Sequence, residues 1–180
     1  MKATGIVRRI DDLGRVVIPK EIRRTMRIRE GDPLEIYTAN DGEVIFKKYS
    51  PIGELSPWSA QYAEILSKNT GYPVLICDKD HVIAAAGVSR KEYVGRRISR
   101  MTEDILEQRK NYAAKNDGSE GFLPVEGLDR AAVSVDVVIS SGDVMGAVVM
   151  LENDGKTLPG EAELRLASVC AGFLGKQMED

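Results

Sequence analysis

The first 48 residues combine short β-branched segments, turn signals and one short helix, and this pattern most constrains how the chain can fold. Residues 3–10 alternate apolar with polar or charged side chains, which predicts a strand. Pro19 favours the start of a helix, because its φ is restricted and it has no N–H to leave unsatisfied. The residues predict a β-β-α-β-β order, with elements at 3–10, 16–18, 20–26, 34–38 and 43–48.

A domain of this size buries little apolar surface by itself. Chains this short usually need disulfides, a metal ion or a partner chain. The two cysteines, Cys77 and Cys170, lie outside the segment, which also lacks a cluster of metal ligands. We therefore expect an obligate homodimer through residues 1–50, in which two chains complete one shared core.

Positive charge is concentrated at this end of the chain. Residues 1–50 contain 11 Lys and Arg against 8 Asp and Glu, whereas residues 51–180 contain 14 against 20. Six arginines recur on a strand, after a turn and on a helix, so they can share one face: Arg8, Arg9, Arg15, Arg23, Arg24 and Arg27. One alternative is that they are solvated charges, some paired with nearby acidic residues. We favour contact with the phosphates of double-stranded DNA, because a two-fold dimer would double this face.

A stretch rich in turn formers, residues 51–56, is predicted to link this domain to a second one at 57–180. The second domain alternates apolar strands with helices, which predicts an α+β protein. Its strands are expected at 74–77, 82–86, 133–139 and 144–151, and its last helix at 159–178. Two apolar helical stripes are either ordinary core or contacts between subunits: Trp58, Tyr62, Ile65 and Leu66, and Leu166, Val169, Cys170 and Phe173.

The sequence offers no set of residues suited to catalysis, and we expect no enzyme, metal or cofactor. The one histidine, His81, lies beside a turn, where an exposed loop position is the simplest interpretation. Cys77 and Cys170 lie in apolar segments and are expected to be buried thiols. The glycine-bearing stretches lack phosphate-loop spacing. No run of about 18 apolar residues occurs, so we expect a cytoplasmic protein that does not span a membrane.

The stretch GRVVIPKEIRR closely resembles the DNA-binding domain of the AbrB family of transition-state regulators. The resemblance covers residues 1–50 and implies a swapped-hairpin β-barrel formed by two intertwined chains. Family arginines that contact DNA match Arg8, Arg15, Arg23 and Arg24, and Arg9 stands where relatives often carry lysine. Lys2 and Arg27 are expected to contact phosphate on the basis of their charge alone. The family fold has no helix-turn-helix recognition helix, so we expect binding to depend on DNA shape and on flexible, AT-rich promoter regions.

Residues 57–180 resemble a GAF domain, an antiparallel sheet flanked by helices, on element order and on strands such as VLICD and MGAVVML. This implies a homotetramer built from two dimers and leaves open a small-molecule effector. Some GAF relatives are sulfoxide reductases that use several cysteines, a set this chain lacks. The domain order resembles AbrB-family regulators that act in the forespore, activating some sporulation genes and repressing others. Two alternatives are a ligand-sensing GAF protein with secondary DNA binding and an antitoxin-like module, whose relatives carry a disordered tail.

Overall fold

The structure is a computed structural model that describes residues 5–115 and 121–179. The chain divides into two compact units, Met1–Tyr49 and Ser50–Asp180. We call Met1–Tyr49 the head and Ser50–Asp180 the second domain. Lys2 lies outside the described residues. No helix among the described residues is long and apolar enough to cross a membrane.

The described part of the head, residues 5–49, forms one short helix and one hairpin. Helix α1 spans Lys20–Thr25 and follows Pro19, as predicted. Strands β1 (Leu34–Thr38) and β2 (Val44–Lys48) pair antiparallel, with Ile36 opposite Phe46. Gly42 closes the hairpin in the left-handed region, where glycine meets no steric penalty.

The predicted strands at 3–10 and 16–18 are not formed by residues 5–10 and 16–18 of the single chain, and residues 3 and 4 lie outside the described residues. Residues 11–15 form a turn, in which Asp11 N–H donates to the Arg15 carbonyl at 3.1 Å. The segments on either side of the turn join neither sheet. A strand requires a hydrogen-bonded neighbour, and the one sheet among residues 5–49 is the β1–β2 hairpin.

Most of the head's large apolar side chains face solvent. Among residues 5–49, only Pro19 is buried. Twelve large apolar residues are exposed: Ile6, Val7, Ile10, Leu13, Val16, Val17, Met26, Ile36, Tyr37, Val44, Ile45 and Phe46. A single head therefore has almost no core of its own.

The second domain begins earlier than predicted, because the expected linker is helical. Helix α2 spans Pro51–Glu54, and the hydroxyl of Ser50 accepts a hydrogen bond from Gly53 N–H at 3.2 Å. Ile52 within this helix is fully buried. A serine followed by proline suits the start of a helix as well as a turn.

The second domain is a five-stranded antiparallel sheet with helices on both faces. The strands follow the order β4-β3-β7-β6-β5. The remaining elements are α3 (Ser56–Thr70), β3 (Val74–Cys77), β4 (Val82–Ala86), α4 (Arg90–Tyr93), α5 (Arg100–Gln108), β5 (Tyr112–Ala113), β6 (Ala132–Ser140), β7 (Asp143–Leu151) and α6 (Glu161–Lys176).

The sheet is buried on both sides, which explains its nearly continuous apolar strands. Val74 and Ile76 pack on the face covered by α3 and α6. Leu75 and Cys77 pack on the opposite face, with Tyr93 of α4 and Leu106 of α5. Alternate residues of one strand thus enter two separate clusters.

Of the two alternatives for the apolar stripe of the last helix, ordinary core is wrong for most of its residues. Of its four residues only Cys170 is buried, whereas Leu166, Val169 and Phe173 are exposed by 43%, 68% and 44%. The buried side is formed mainly by small residues, and a Cβ at Gly175 would overlap the backbone carbonyl of Ile139. Because Gly175 of α6 lies so close to the sheet, the inward side of the helix carries Ala167, Ala171 and one large residue, Leu174.

Candidate nucleic-acid interface

Helix α1 presents two of the predicted DNA contacts to solvent. Arg23 and Arg24 are both exposed, and the helix buries no residue. Arg23 N–H donates to the Pro19 carbonyl at 2.9 Å, which sets the first turn directly after the buried proline. The rigid φ of proline therefore fixes where the helix and its arginines begin.

Arg27 lies two residues beyond the end of α1, and its backbone is held in place by a hydrogen bond from the hairpin. Its φ is 51°, in the left-handed region that non-glycine residues seldom adopt. The Arg27 carbonyl accepts a 2.9 Å hydrogen bond from Nζ of Lys48 on β2. The same ammonium lies 3.5 Å from a carboxylate oxygen of Asp32. Lys48 thus ties the end of the helix to the hairpin.

Arg15 lies in the turn that precedes α1, and its side chain is 71% exposed. Asp11 organises this turn: its Oδ1 accepts from Leu13 N–H at 3.1 Å and from Arg15 N–H at 2.7 Å. Its Oδ2 accepts from Arg15 Nε at 2.8 Å. These bonds, led by the one from the Arg15 backbone, lower the pKa of Asp11 below its ordinary value. Pairing of some arginines with Asp11, Asp12 or Glu21 was the alternative left open by the sequence, and it holds for Arg15 with Asp11, across a turn that contains a glycine.

The remaining predicted contacts precede this turn. Arg8 and Arg9 are exposed, and no described carboxylate forms an ion pair with them or with Arg23 and Arg24. The structure thus brings the arginine candidates into one small unit on three local features, the segment before the turn, the turn and the helix. Their contacts with DNA stay a prediction.

The second domain has a surface cleft with polar side chains in its lining, a candidate ligand site. Residues such as Ser67, Tyr72 and Asn153 line this cleft of ≈ 450 Å³. The guanidinium of Arg130 at this cleft already has partners within the protein. It pairs with Asp154 at 3.0 Å and donates a hydrogen bond to the Glu152 carbonyl at 3.1 Å. Within residues 5–115 and 121–179, no three His, Cys, Asp or Glu side chains are grouped to hold a metal ion.

The cysteines are buried as predicted, and the histidine differs slightly from its prediction. Burial raises the pKa of the Cys77 thiol and raises that of Cys170 to about 11, so both stay protonated at neutral pH. His81 is half-buried, and its backbone pairs with that of Arg97.

Family comparisons cover nearly the whole chain. Residues 54–179 match the model of a family described as stage V sporulation protein T C-terminal, transcription factor. Residues 7–53 match a family described as antidote-toxin recognition MazE, bacterial antitoxin. Over 179 residues the chain is 51% identical to stage V sporulation protein T of Bacillus subtilis (strain 168), a match that covers 99% of each chain.

The two halves also have separate likenesses. Over 51 residues, 28% of this chain and 52% of the relative, the chain is 63% identical to transition state regulatory protein AbrB of Bacillus subtilis (strain 168). A solved GAF domain of the Acinetobacter phosphoenolpyruvate-protein phosphotransferase matches 69% of this chain and 81% of its own, with a TM-score of 0.51 and 11% identity. The likeness to the solved GAF domain concerns the fold alone. The predicted fold class, an AbrB-like head followed by a GAF-like domain, is confirmed.

Proposed function

This chain belongs to the family of stage V sporulation protein T, and we propose that it controls sporulation genes by binding DNA. In this proposal, arginines from the two heads of a dimer bind the phosphate backbone. Its relatives identify it as a DNA-binding transcription regulator with an AbrB-like head and a GAF-like second domain. The observation that carries the proposal is a head with solvent-facing arginines and almost no core.

Pairing of two heads is supported by the exposed apolar surface. Twelve large apolar side chains exposed in about 45 residues are far more than a stable monomeric unit leaves in water. The segments before and after the 11–15 turn lack strand partners, and a second chain offers both a sheet neighbour and apolar cover. The homodimer through residues 1–50 therefore completes secondary structure and core together.

DNA capture by such a dimer is mainly electrostatic. Each arginine guanidinium is permanently charged and matches phosphate geometry with two parallel N–H donors. A two-fold dimer presents the set twice and spans successive phosphates along the duplex. Because phosphates carry no sequence information, selectivity comes from DNA shape and bendability, which favours AT-rich promoter regions.

The apolar faces of α3 and α6 support a tetramer built from two dimers. Trp58 and Ile65 on α3 are exposed by 58% and 57%, and Val169 on α6 is exposed by 68%. Tyr62 and Phe173 join the two helices, with ring centroids 5.1 Å apart. We call this surface, formed by Trp58, Ile65, Leu166, Val169 and Phe173, the outer stripe. The outer stripe suits a matching stripe of a second copy, because both would leave water together.

Regulation is proposed to use the linked heads. A tetramer carries two head dimers, and tethering raises the effective concentration of the second dimer once the first has bound. An effector held by the GAF-like domain would alter this linkage, and promoter context would decide between activation and repression. These steps need binding alone, with no catalytic residue, and suit a cytoplasmic protein of the forespore.

An antitoxin role is the second candidate, favoured by the match of residues 7–53 to the antitoxin model. Against it, the described residues that follow the head form a folded domain with buried clusters on both faces of a sheet. A ligand-sensing protein with secondary DNA binding is the other alternative. It requires the head to bind DNA only weakly.

Affinity for an AT-rich promoter fragment, measured against salt with the full chain, tests the proposal. We expect the logarithm of affinity to fall with the logarithm of salt with a slope of roughly −6 to −10, because many phosphates are engaged together. A slope near zero, or absence of binding at ordinary salt, would contradict DNA capture by the head. Binding of a candidate toxin in place of DNA would favour the antitoxin role.

A further inference from the structure

Asp11 is a negative charge set among the arginines of a DNA-binding head. Its side chain is 38% exposed, and both of its oxygens accept hydrogen bonds. Oδ1 binds the backbone N–H groups of Leu13 and Arg15, and Oδ2 binds Arg15 Nε at 2.8 Å. One carboxylate therefore holds both the backbone and the guanidinium of a single arginine.

This geometry leaves the two terminal amino groups of Arg15 able to bind a further acceptor. The Nε–H points to Asp11, so the two terminal amino groups of the guanidinium retain their donors for another acceptor. An arginine side chain otherwise samples many rotamers, and ordering it costs conformational entropy when it binds. A contact made before binding removes part of that cost.

We propose that Asp11 is a positioning residue that orients Arg15 for a DNA phosphate. The inference rests on the proposed function, in which Arg15 contacts the DNA backbone. The two effects of Asp11 on DNA affinity have opposite signs. As a negative charge near phosphates it weakens binding, and as a clamp on Arg15 it strengthens binding. The sign measured on removing its charge therefore identifies which effect dominates.

The variant Asp11→Asn separates these effects. Asparagine keeps an oxygen that accepts from Leu13 and Arg15 N–H, so the turn can persist. Its amide nitrogen is a donor and cannot accept from Arg15 Nε. The matched control is Asp12→Asn, which removes the same charge from the exposed neighbouring residue. Circular dichroism and melting temperature check that both full-length variants fold.

The measurement is DNA affinity of the full chain at one low salt concentration. We expect Asp12→Asn to bind at least as tightly as the parent, and Asp11→Asn to bind about three- to fivefold more weakly, the scale of one exposed charged contact. Equal or tighter binding by Asp11→Asn would overturn the proposal, because the repulsive charge would then be its main effect.

A second background tests whether Asp11 acts through Arg15. In the Arg15→Ala protein, adding Asp11→Asn should cause no further loss of affinity. A loss as large as in the parent would overturn the proposal, because the role of Asp11 would then be the turn itself. If Arg15→Ala alone binds DNA like the parent, the Arg15 contact in the proposed function fails, an outcome distinct from the other two.

Discussion

The hydroxyl of Ser168 on α6 donates a 2.5 Å hydrogen bond to Oδ1 of Asp136 on β6. Asn111 Nδ2 donates to the same oxygen at 3.1 Å, and Asp136 is only 4% exposed. The Asp136 carboxylate thus lies between the sheet and α6, and the exposed side of α6 carries part of the outer stripe. Burial raises the pKa of Asp136, and the Ser168 hydrogen bond opposes this rise.

The raised pKa of Asp136 predicts how stability changes with pH. The folded state keeps the proton to a higher pH than the unfolded state, so this residue's contribution to stability falls as pH rises above the ordinary value of 3.8. We expect Asp136→Asn, which still accepts from Ser168, to stabilise the second domain at pH 7 by up to about 1 kcal/mol.

Thermal unfolding of Asp136→Asn and the parent across pH 3 to 8 checks this expectation. The gain should shrink toward zero as the pH falls below the folded pKa, where the parent carboxyl is protonated too. Asp143→Asn, at an exposed position on β7, is the control and should show no such pH-dependent gain. A variant less stable than the parent only above the folded pKa, where the parent carboxyl is ionised, would mean that the charge itself is needed.

Arg24→Ala and Arg15→Ala are each expected to weaken DNA binding without changing the fold. Loss of one phosphate contact should reduce the salt slope by about 1 for each contact removed. Arg165→Ala on α6 is the control, because Arg165 is exposed and pairs with Glu161 at 2.6 Å. Fluorescence anisotropy on one promoter fragment over several salt concentrations gives the slopes. Unchanged slopes for both head variants would contradict the arginine assignment.

Ile36→Asp tests whether the exposed apolar surface of the head is covered by a second chain. Ile36 is 65% exposed in the single chain, so a monomeric head would tolerate an aspartate there. We expect the variant to lose head folding and DNA binding, because a dimer core would bury this charge. Asn40→Asp, which adds a charge at the exposed hairpin tip, should behave like the parent. Sedimentation and DNA titration distinguish the two results.

Val169→Asp tests assembly through the outer stripe. Val169 is 68% exposed on α6, and a charge there should separate a tetramer into dimers while each head dimer stays intact. Lys156→Asp, at an exposed position outside α3 and α6, is the control with a larger charge change. Light scattering coupled to gel filtration gives the mass. We also expect about a 10²-fold loss of DNA affinity at a promoter long enough for two head dimers. An unchanged mass would contradict the assignment of this surface.

Much of the second domain is predictable from local pattern. Strands at 74–77 and 82–86 have the predicted bounds, because short apolar runs ended by turn residues leave few alternatives. The linker prediction was wrong, since Ser50-Pro51 starts a turn and a helix equally well, and burial of Ile52 decides between them. Helix α1 was predictable because proline sets its start locally.

By itself, the sequence determined helix α1, the main strands of the second domain, the order of the two domains and the concentration of arginines in the head. These depend on periodicity, turn chemistry and charge, which act over a few residues. Tertiary structure alone decided which side of α6 faces the sheet, because Gly175 lies so close to the Ile139 carbonyl that a Cβ there would overlap it. It also placed Ser168 against Asp136, 32 residues apart, since contacts between distant segments depend on how the sheet and helix pack.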